Sequence, residues 1–277
     1  MLIIKTGKLM AKTFCIANQK GGVGKTTTTV NLAAGLAKIG QRVLMVDLDP
    51  QGNATMGSGV DKRDLKLSVY DVLLESASIE QARVQSDKLN RAGCGYDILG
   101  ANRELAGAEV EMVAIDRRER RLKQALEAVG PQYDFVLIDC PPSLSMLTLN
   151  GLCCAHGVVV PMQCEYFALE GLTDLVNTIK QVHANLNNSL SLIGLLRVMF
   201  DPRITLQQQV SEQLKTHFGN KVFDTVIPRN VRLAEAPSYG LPGVAFDPSS
   251  KGAVAYLAFA SEMVKRTQAT THQPIAE

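Results

Sequence analysis

The chain has 277 residues, of which 46% are apolar and 20% are charged, and its net charge is +2. This length allows one large domain with a substantial core, and so small a net charge does not by itself indicate nucleic-acid binding. No apolar run approaches the roughly 18–20 residues that span a bilayer, and residues 1–12 lack the apolar core and cleavage site of a signal peptide.

A glycine-rich segment near the start of the chain joins a predicted strand to a predicted helix. Residues 13–17 form an apolar run typical of a buried strand, and apolar residues recur at helical spacing over residues 28–39. Between them, residues 20–27 read KGGVGKTT. Glycines let successive backbone N–H groups point at one anion, and a helix N-terminus adds the positive end of its dipole. The segment therefore predicts a phosphate-binding loop, because an ordinary glycine turn with solvated lysines would not match at every position.

Two side chains of this loop receive specific roles from the general P-loop pattern, G-x-x-x-x-G-K-[ST]. In that pattern the lysine reaches the β- and γ-phosphates, and the hydroxyl after it coordinates Mg²⁺. These positions are Lys25 and Thr26. The first glycine of the pattern is absent, because Gln19 occupies that position, and the next residue, Lys20, is a second lysine at the entrance of the loop.

This departure is informative, because KGGVGKTT resembles the deviant Walker A motif of the ParA/MinD family of ATPases. The resemblance implies that the nucleotide is ATP with Mg²⁺, and that Lys20 crosses a dimer interface to contact the partner subunit's nucleotide. It makes Lys20 and Lys25 catalytic as well as nucleotide-binding. The other nucleotide-binding positions that it implies are Gly21, Gly22, Val23, Gly24, Thr26 and Thr27.

A second predicted strand, residues 41–47, ends in an acid and runs into the sequence DLDPQGN. Carboxylates at the carboxyl end of a parallel strand, beside a phosphate loop, lie where Mg²⁺ and an attacking water are needed. The segment resembles the second acidic motif of the family, which implies that Asp49 positions or activates the hydrolytic water and that Asp47 supports the Mg²⁺ shell. A strand-end turn with solvated acids remains an alternative, more so for Asp47.

For the middle of the chain, the sequence predicts a series of short elements. They are a loop at residues 54–64, a helix at 68–74, an unassigned polar stretch at 76–95, a strand at 96–99, and helices at 104–109 and 116–129. A block of charges at residues 117–121 is typical of a solvated helix face.

A further buried strand, residues 133–139, again ends in an acid, Asp139. Residues 140–143 (CPPS) break the strand and resemble the DxPPS motif of the family. Asp139 is therefore the candidate Walker B residue, which would hold a water of the Mg²⁺ shell. The alternative is an aspartate that caps a strand-end turn.

Beyond this point strands and helices alternate to the end of the chain. Predicted strands occupy residues 157–162, 190–200 and 221–227, and predicted helices occupy 143–155, 172–186, 205–218 and 249–266, with a loop at 163–171. Alternation of this kind predicts a doubly wound, mostly parallel α/β sheet with helices on both faces, and the resemblance makes it a P-loop NTPase. We expect one ATPase domain over residues 13–266, a flexible extension over 1–12 in which Met10 is an alternative start, and a polar tail over 267–277.

Residues 227–238 (IPRNVRLAEAPS) resemble the chromosomal, Soj-like subgroup of the family. This resemblance implies that Pro228 and Asn230 flank adenine, and that Arg203 and Arg232 bind DNA. Composition alone supports the DNA assignment weakly, because acids offset most of the basic residues in the last third of the chain, which are Arg197, Arg203, Lys215, Lys221, Arg229, Arg232 and Lys251.

The six cysteines contain no C-x-x-C pair, and four of them have apolar neighbours in sequence. We therefore expect small buried side chains in a reducing cytoplasm, not a metal site or a disulfide framework. A relative of the nitrogenase iron protein would need paired exposed cysteines, and only Cys140 lies near the candidate Walker B residue.

Together these patterns predict a nucleotide switch. ATP brings two subunits together as a homodimer, the dimer binds DNA non-specifically, and a ParB-type partner stimulates slow hydrolysis that releases it. Such a protein is cytoplasmic and nucleoid-associated, and partitions a chromosome or plasmid. The alternative is a MinD-like positioning ATPase that acts at a membrane or on a protein cargo. Membrane attachment would need a basic amphipathic C-terminal helix, whereas the tail has Ile275 beside Pro274.

Overall fold

The computed structural model describes residues 11–166 and 168–269. In these ranges the chain forms seven strands, which are β1 Lys12–Ile16, β2 Val43–Asp47, β3 Asp97–Leu99, β4 Phe135–Asp139, β5 Gly157–Met162, β6 Ser191–Phe200 and β7 Val222–Pro228. The predictions of a flexible extension and of a polar tail fall largely on residues outside these ranges.

The α-helices of the described residues vary from single turns to five turns. They are α1 Lys25–Lys38, α2 Asn53–Gly57, α3 Val69–Leu73, α4 Ile79–Ala82, α5 Asp87–Arg91, α6 Leu105–Glu111, α7 Arg121–Val129, α8 Met146–Cys154, α9 Ala168–Asn185, α10 Thr205–Phe218, α11 Val231–Glu235, α12 Gly243–Phe246 and α13 Lys251–Ala269.

The strands form one sheet in the order β3-β2-β4-β1-β5-β6-β7. Every pairing between named strands is parallel, and one isolated antiparallel bridge joins Val84 to Ile98. The first strand is thus central, and the glycine loop leaves the middle of the sheet. The prediction of a doubly wound, mostly parallel sheet is confirmed.

Alternate strand residues pack into two separate cores, one on each face of the sheet. Phe14 and Ile16 of β1 join the core beneath α1 and α13. Cys15, between them, joins the core beneath α7, α8 and α9. This alternation follows from the two-residue period of a strand, and it explains why buried parallel strands are apolar throughout.

The helix α8 approaches the sheet closely because of Gly151. A Cβ at this position would lie 3.1 Å from Cys15 Sγ, 3.3 Å from Leu48 Cδ1 and 3.4 Å from Cys140 Sγ. All six cysteines are free thiols, and five of them are buried. The expectation of small buried side chains therefore describes them well, with Cys154 half-buried.

Several predicted element boundaries are wrong. The predicted loop at residues 54–64 begins with α2, and the predicted loop at 163–171 gives way to α9 at Ala168. The unassigned stretch at 76–95 contains α4 and α5. The short helix predicted at 68–74 is present as α3, where Ser68 and Asp71 form a capping box.

The carboxyl ends of the central strands meet at one edge of the sheet. The register of the parallel pairs places the Cα of Asp139 beside those of Asp47 and Ile16. Because the glycine loop begins four residues after Ile16, this edge brings the loop and two of the predicted acids together.

Candidate nucleotide-binding site

The glycine loop connects β1 to α1 with two left-handed residues. Gly22 and Gly24 have φ values of 72° and 77°, which residues with a Cβ rarely adopt. Gly24 is the N-cap of α1, and no side chain makes a capping hydrogen bond there. The first N–H groups of the helix are therefore available at the loop. This is the geometry that a phosphate cradle requires.

Lys25 lies largely inside the loop that precedes it. Its Nζ donates to the backbone oxygen of Lys20 at 3.1 Å, and only 8% of the residue is exposed. Burial lowers the pKa of Lys25, while the Asp139 carboxylate opposes that shift. A buried ammonium that donates to a neutral carbonyl gains from an added anion. Lys25 is thus placed to neutralise a phosphate in the loop.

Asp139 is fully buried at the end of β4 and holds two threonine hydroxyls. Thr26 Oγ1 donates to Asp139 Oδ2 at 2.7 Å, and Thr29 Oγ1 donates to Oδ1 at 2.8 Å. Burial raises the pKa of Asp139, and the charge of Asp47 raises it further. Thr26 and Asp139, which sequence analysis assigned separately to the Mg²⁺ site, are therefore in direct contact. Thr29 is an additional residue of this group.

Asp47 is buried at the end of β2 and is held by the segment that follows it. Its Oδ2 accepts from the Thr55 N–H at 2.9 Å and from the Thr55 hydroxyl at 2.8 Å, and its Oδ1 accepts from the Asp49 N–H at 3.1 Å. Burial raises the pKa of Asp47, and these hydrogen bonds oppose the rise. The Thr55 oxygen also accepts from the Ala101 N–H at 2.9 Å. Asp47 is thus tied through Thr55 to the chain beyond β3.

Asp49 is half-buried in the turn after β2. Its Oδ1 accepts from the Gln51 N–H at 2.9 Å. The turn closes at Gly52, whose φ is 61° and where a Cβ would lie 2.6 Å from the Ala101 oxygen. Only glycine fits so close to another backbone, so the turn that carries Asp49 is seated on the loop after β3.

The oxygen atoms at this edge suit Mg²⁺, which prefers oxygen ligands and usually keeps several waters. They come from the Thr26 hydroxyl and the Asp139 and Asp47 carboxylates. Over residues 11–166 and 168–269, no group of three or more His, Cys, Asp or Glu side chains could hold a metal ion.

Lys20 is bonded within its own subunit. Its Nζ lies 2.5 Å from Glu165 Oε2, and about half of each side chain is exposed. Gln163, in the same loop after β5, donates from Nε2 to the Gly22 oxygen at 3.2 Å. The loop after β5 thus contacts the glycine loop at two points. Neither Gln163 nor Glu165 had been assigned a role from sequence.

A cavity of about 280 Å³ opens beside the glycine loop. Gly24 and Thr27 line one side of it, and Pro228 and Asn230 line another. Most of the remaining lining is apolar, from Val198, Met199, Ile227, Val231, Leu233, Ala234 and Tyr256. An apolar cavity next to a phosphate cradle suits a nucleoside base, and Pro228 and Asn230, which the resemblance assigned to adenine, line it.

Comparisons with known proteins agree with this geometry. A family model of the AAA domain matches residues 11–192. The sporulation initiation inhibitor protein Soj of Bacillus subtilis is 52% identical over 254 residues, which cover 92% of this chain and 98% of Soj. The chain belongs to the ParA/Soj family of ATPases. The chromosome partitioning protein ParA of Caulobacter vibrioides is 47% identical over 258 residues, covering 92% of this chain and 94% of that protein.

A solved structure supports the fold of this ParA/Soj-family chain. The crystal structure of cobyrinic acid a,c-diamide synthase from Mycobacterium smegmatis with bound ADP and magnesium has a TM-score of 0.81 and 38% identity, covering 97% of this chain and 100% of that chain. The P-loop NTPase fold predicted from the resemblance is thereby confirmed.

The arginines that the family resemblance assigned to DNA lie at the edge formed by β6 and β7. Phe200 pairs with Pro228 in the sheet register, so the turn that carries Arg203 and the segment that carries Arg232 leave the sheet side by side. Their side chains are 88% and 55% exposed. Arg197, grouped with them by sequence, is only 5% exposed and belongs to the core.

Proposed function

We propose that this protein is a DNA-partition ATPase whose cofactors are ATP and Mg²⁺. The observation that carries the proposal is the meeting, at one sheet edge, of an uncapped glycine loop, the buried Lys25 ammonium, and the contact between Thr26 and Asp139. ATP supplies the phosphoryl group that is transferred to water. Lys25 and the loop N–H groups neutralise its phosphates, and Thr26, Asp139 and Asp47 hold Mg²⁺ and its waters.

Asp49 is the proposed water-positioning residue. It stands two residues beyond Asp47 and is only half-buried, which leaves it accessible to solvent. The sequence offers no arginine-finger candidate with a recognisable spacing, and such a residue accelerates related enzymes by about 10³–10⁵-fold. We therefore expect slow intrinsic hydrolysis that a ParB-type partner accelerates, as suits a timing device.

Dimerisation is proposed to depend on Lys20. In the ATP-bound homodimer, Lys20 of each subunit contacts the phosphates held by the other. Lys20 is half-exposed and lies at the loop entrance, which leaves its side chain within reach of a second molecule. To cross the interface, its Nζ must leave Glu165, so ATP and the partner subunit together compete with this ion pair.

The ATP-bound dimer is proposed to bind DNA non-specifically through Arg203 and Arg232. The support is their exposure at one edge of the sheet and the similarity to chromosome-partitioning relatives. Binding of this kind is directed at phosphates and has no sequence preference. We accordingly place the protein in the cytoplasm at the nucleoid, with a chromosome or plasmid as cargo.

The proposal is tested by measuring the binding of a labelled random-sequence duplex with ATP, with ADP and without nucleotide. ATP and Mg²⁺ should be required, and affinity should fall steeply with salt. The Arg203→Ala/Arg232→Ala variant should lose binding while it retains ATP hydrolysis. Duplex binding that is independent of nucleotide, or intact in this variant, would contradict the DNA-binding proposal.

A parallel sedimentation with anionic liposomes separates this function from the MinD-like alternative. Over the described ranges, no helix is both long enough and apolar enough to traverse a bilayer. ATP-dependent co-sedimentation with liposomes, in the absence of duplex binding, would contradict the partition function and favour a positioning ATPase that acts at a membrane surface.

A further inference from the structure

Each of the two candidate DNA-binding arginines is paired with a carboxylate of its own subunit. Arg203 donates from Nε and Nη2 to the two oxygens of Asp201, at 2.9 and 2.7 Å. Arg232 donates from Nη1 to Glu235 Oε2 at 2.9 Å, and its Nε lies 3.4 Å from Asp247 Oδ2. The guanidinium edges that would grip phosphate are therefore already bound to anionic oxygens.

Three acids act on the three arginines of this region. Arg203 pairs with Asp201, and Arg232 pairs with Glu235 and Asp247. The Arg203 guanidinium lowers the pKa of Asp201 to about 2, and Arg229 contributes to the same shift. The Asp201 carboxylate is thus ionised at any physiological pH.

We propose that Asp201 and Glu235 compete with DNA phosphates for Arg203 and Arg232, and so keep the DNA affinity of this surface low. This inference rests on the DNA-binding function proposed above and adds a mode of regulation to it. Carboxylate and phosphate bind the same planar fork of an arginine. A phosphate must therefore displace a carboxylate at each position before it gains the full charge-assisted contact.

The geometry favours competition over a purely structural role for these pairs. Arg203 is 88% exposed, so its ion pair with Asp201 stabilises the fold little. The turn itself is held by another bond, in which Asp201 Oδ1 accepts from the Arg203 N–H at 3.0 Å. Because asparagine keeps that oxygen, Asp201→Asn removes the competing charge and preserves the turn.

The test compares duplex affinities of the ATP-bound protein at several salt concentrations. Because exposed ion pairs are weak, Asp201→Asn should raise affinity by up to about fivefold, and Glu235→Gln by a similar factor. Because the two pairs are separate, the double variant should show approximately the product of the two factors.

The matched control is Glu212→Gln. Glu212 is also an exposed acid paired with a basic residue, at 3.2 Å from Lys215, and its loss changes the net charge equally, but it lies two helical turns into α10. It should raise affinity less than Asp201→Asn. Equal increases in the two variants would reduce the effect to net charge and overturn the inference.

A double-mutant cycle separates this inference from the DNA-binding proposal. In an Arg203→Ala background, Asp201→Asn should no longer raise affinity beyond the Glu212→Gln control. If Arg203→Ala loses affinity but Asp201→Asn behaves like the control, DNA binding stands and competition is wrong. If Arg203→Ala binds as tightly as the wild type, the DNA surface itself has been misplaced.

Discussion

Thr55 should be a positioning residue whose loss damages both the fold and the magnesium site. Its side chain is fully buried, and its hydroxyl donates to Asp47 Oδ2 at 2.8 Å while accepting from the Ala101 N–H at 2.9 Å. Valine has nearly the same shape but lacks the hydroxyl. Thr55→Val therefore removes two hydrogen bonds without opening a cavity.

The size of the effect follows from these two bonds. A hydrogen bond to a charged group contributes about 1.5–3 kcal/mol, and a buried N–H without an acceptor costs about 1–3 kcal/mol. Allowing for partial relaxation, we expect the free energy of unfolding to fall by about 3 kcal/mol. For a domain of this size, that corresponds to a fall in Tm of roughly 6 °C. Since Asp47 loses one of the three hydrogen bonds that orient it, Mg²⁺-dependent ATPase activity should fall by about 10–100-fold.

Urea denaturation and an ATPase assay measure the two effects. Thr178→Val is the matched control, because the Thr178 hydroxyl donates to a carbonyl of its own helix, Asp174 O, at 3.0 Å, far from the loop. It should change the unfolding free energy by under about 1 kcal/mol and leave hydrolysis intact. A Thr55→Val protein as stable and as active as this control would refute the role assigned to Thr55.

Two further predictions concern buried charges. Burial raises the pKa of Asp139 to about 7 and that of Asp47 to about 6, against about 3.9 in the unfolded chain. The folded state therefore holds more protons than the unfolded chain between about pH 4 and 7, so the stability of the nucleotide-free protein should fall as pH rises through that interval. Urea midpoints should show a weaker fall in the Asp139→Asn variant. A variant whose pH profile equals that of the wild type would contradict the raised pKa of Asp139. Arg197 donates from the core to Ser211 Oγ and the Phe223 oxygen, at 2.9 and 2.7 Å. Arg197→Ala should therefore lower the free energy of unfolding by about 3 kcal/mol, and Arg197→Met should lower it less. An Arg197→Ala protein as stable as the wild type would contradict a stabilising role for Arg197.

Each part of the site that the sequence predicted is marked by a local pattern in the chain. The glycine loop is one unbroken motif, and Asp47 and Asp139 each end an apolar run, so parallel packing alone brings them to one edge. Their neighbourhood could be inferred before any coordinates were known. What the sequence did not indicate was the direct contact between Thr26 and Asp139.

The residues that sequence missed are polar side chains whose partners no local pattern indicates. Thr55 meets Asp47 only because α2 folds back from the turn at Gly52, and α2 is a single turn that a loop-like composition hides. Glu165 meets Lys20 across 145 residues. Neither pair has a spacing or periodicity that would reveal it, and the second depends on β1 and β5 being neighbours in the sheet.

The boundary errors have related causes. The helix α2 is short, and its buried residues, Ala54 and Thr55, are held by tertiary contacts more than by helix propensity. The helix α9 begins at Ala168, four residues before its predicted start, and the loop before it contacts the glycine loop through Gln163 and Glu165. Such boundaries are set by neighbouring segments that a local pattern does not contain.

Sedimentation velocity of the Lys20→Ala variant with ATP and Mg²⁺ tests the central claim most directly. The account predicts that the wild type forms dimers with ATP but not with ADP, whereas Lys20→Ala binds ATP, measured by fluorescent nucleotide, and stays monomeric. A Lys20→Ala protein that dimerises with ATP as readily as the wild type would contradict the claim that this lysine joins two subunits across their nucleotides.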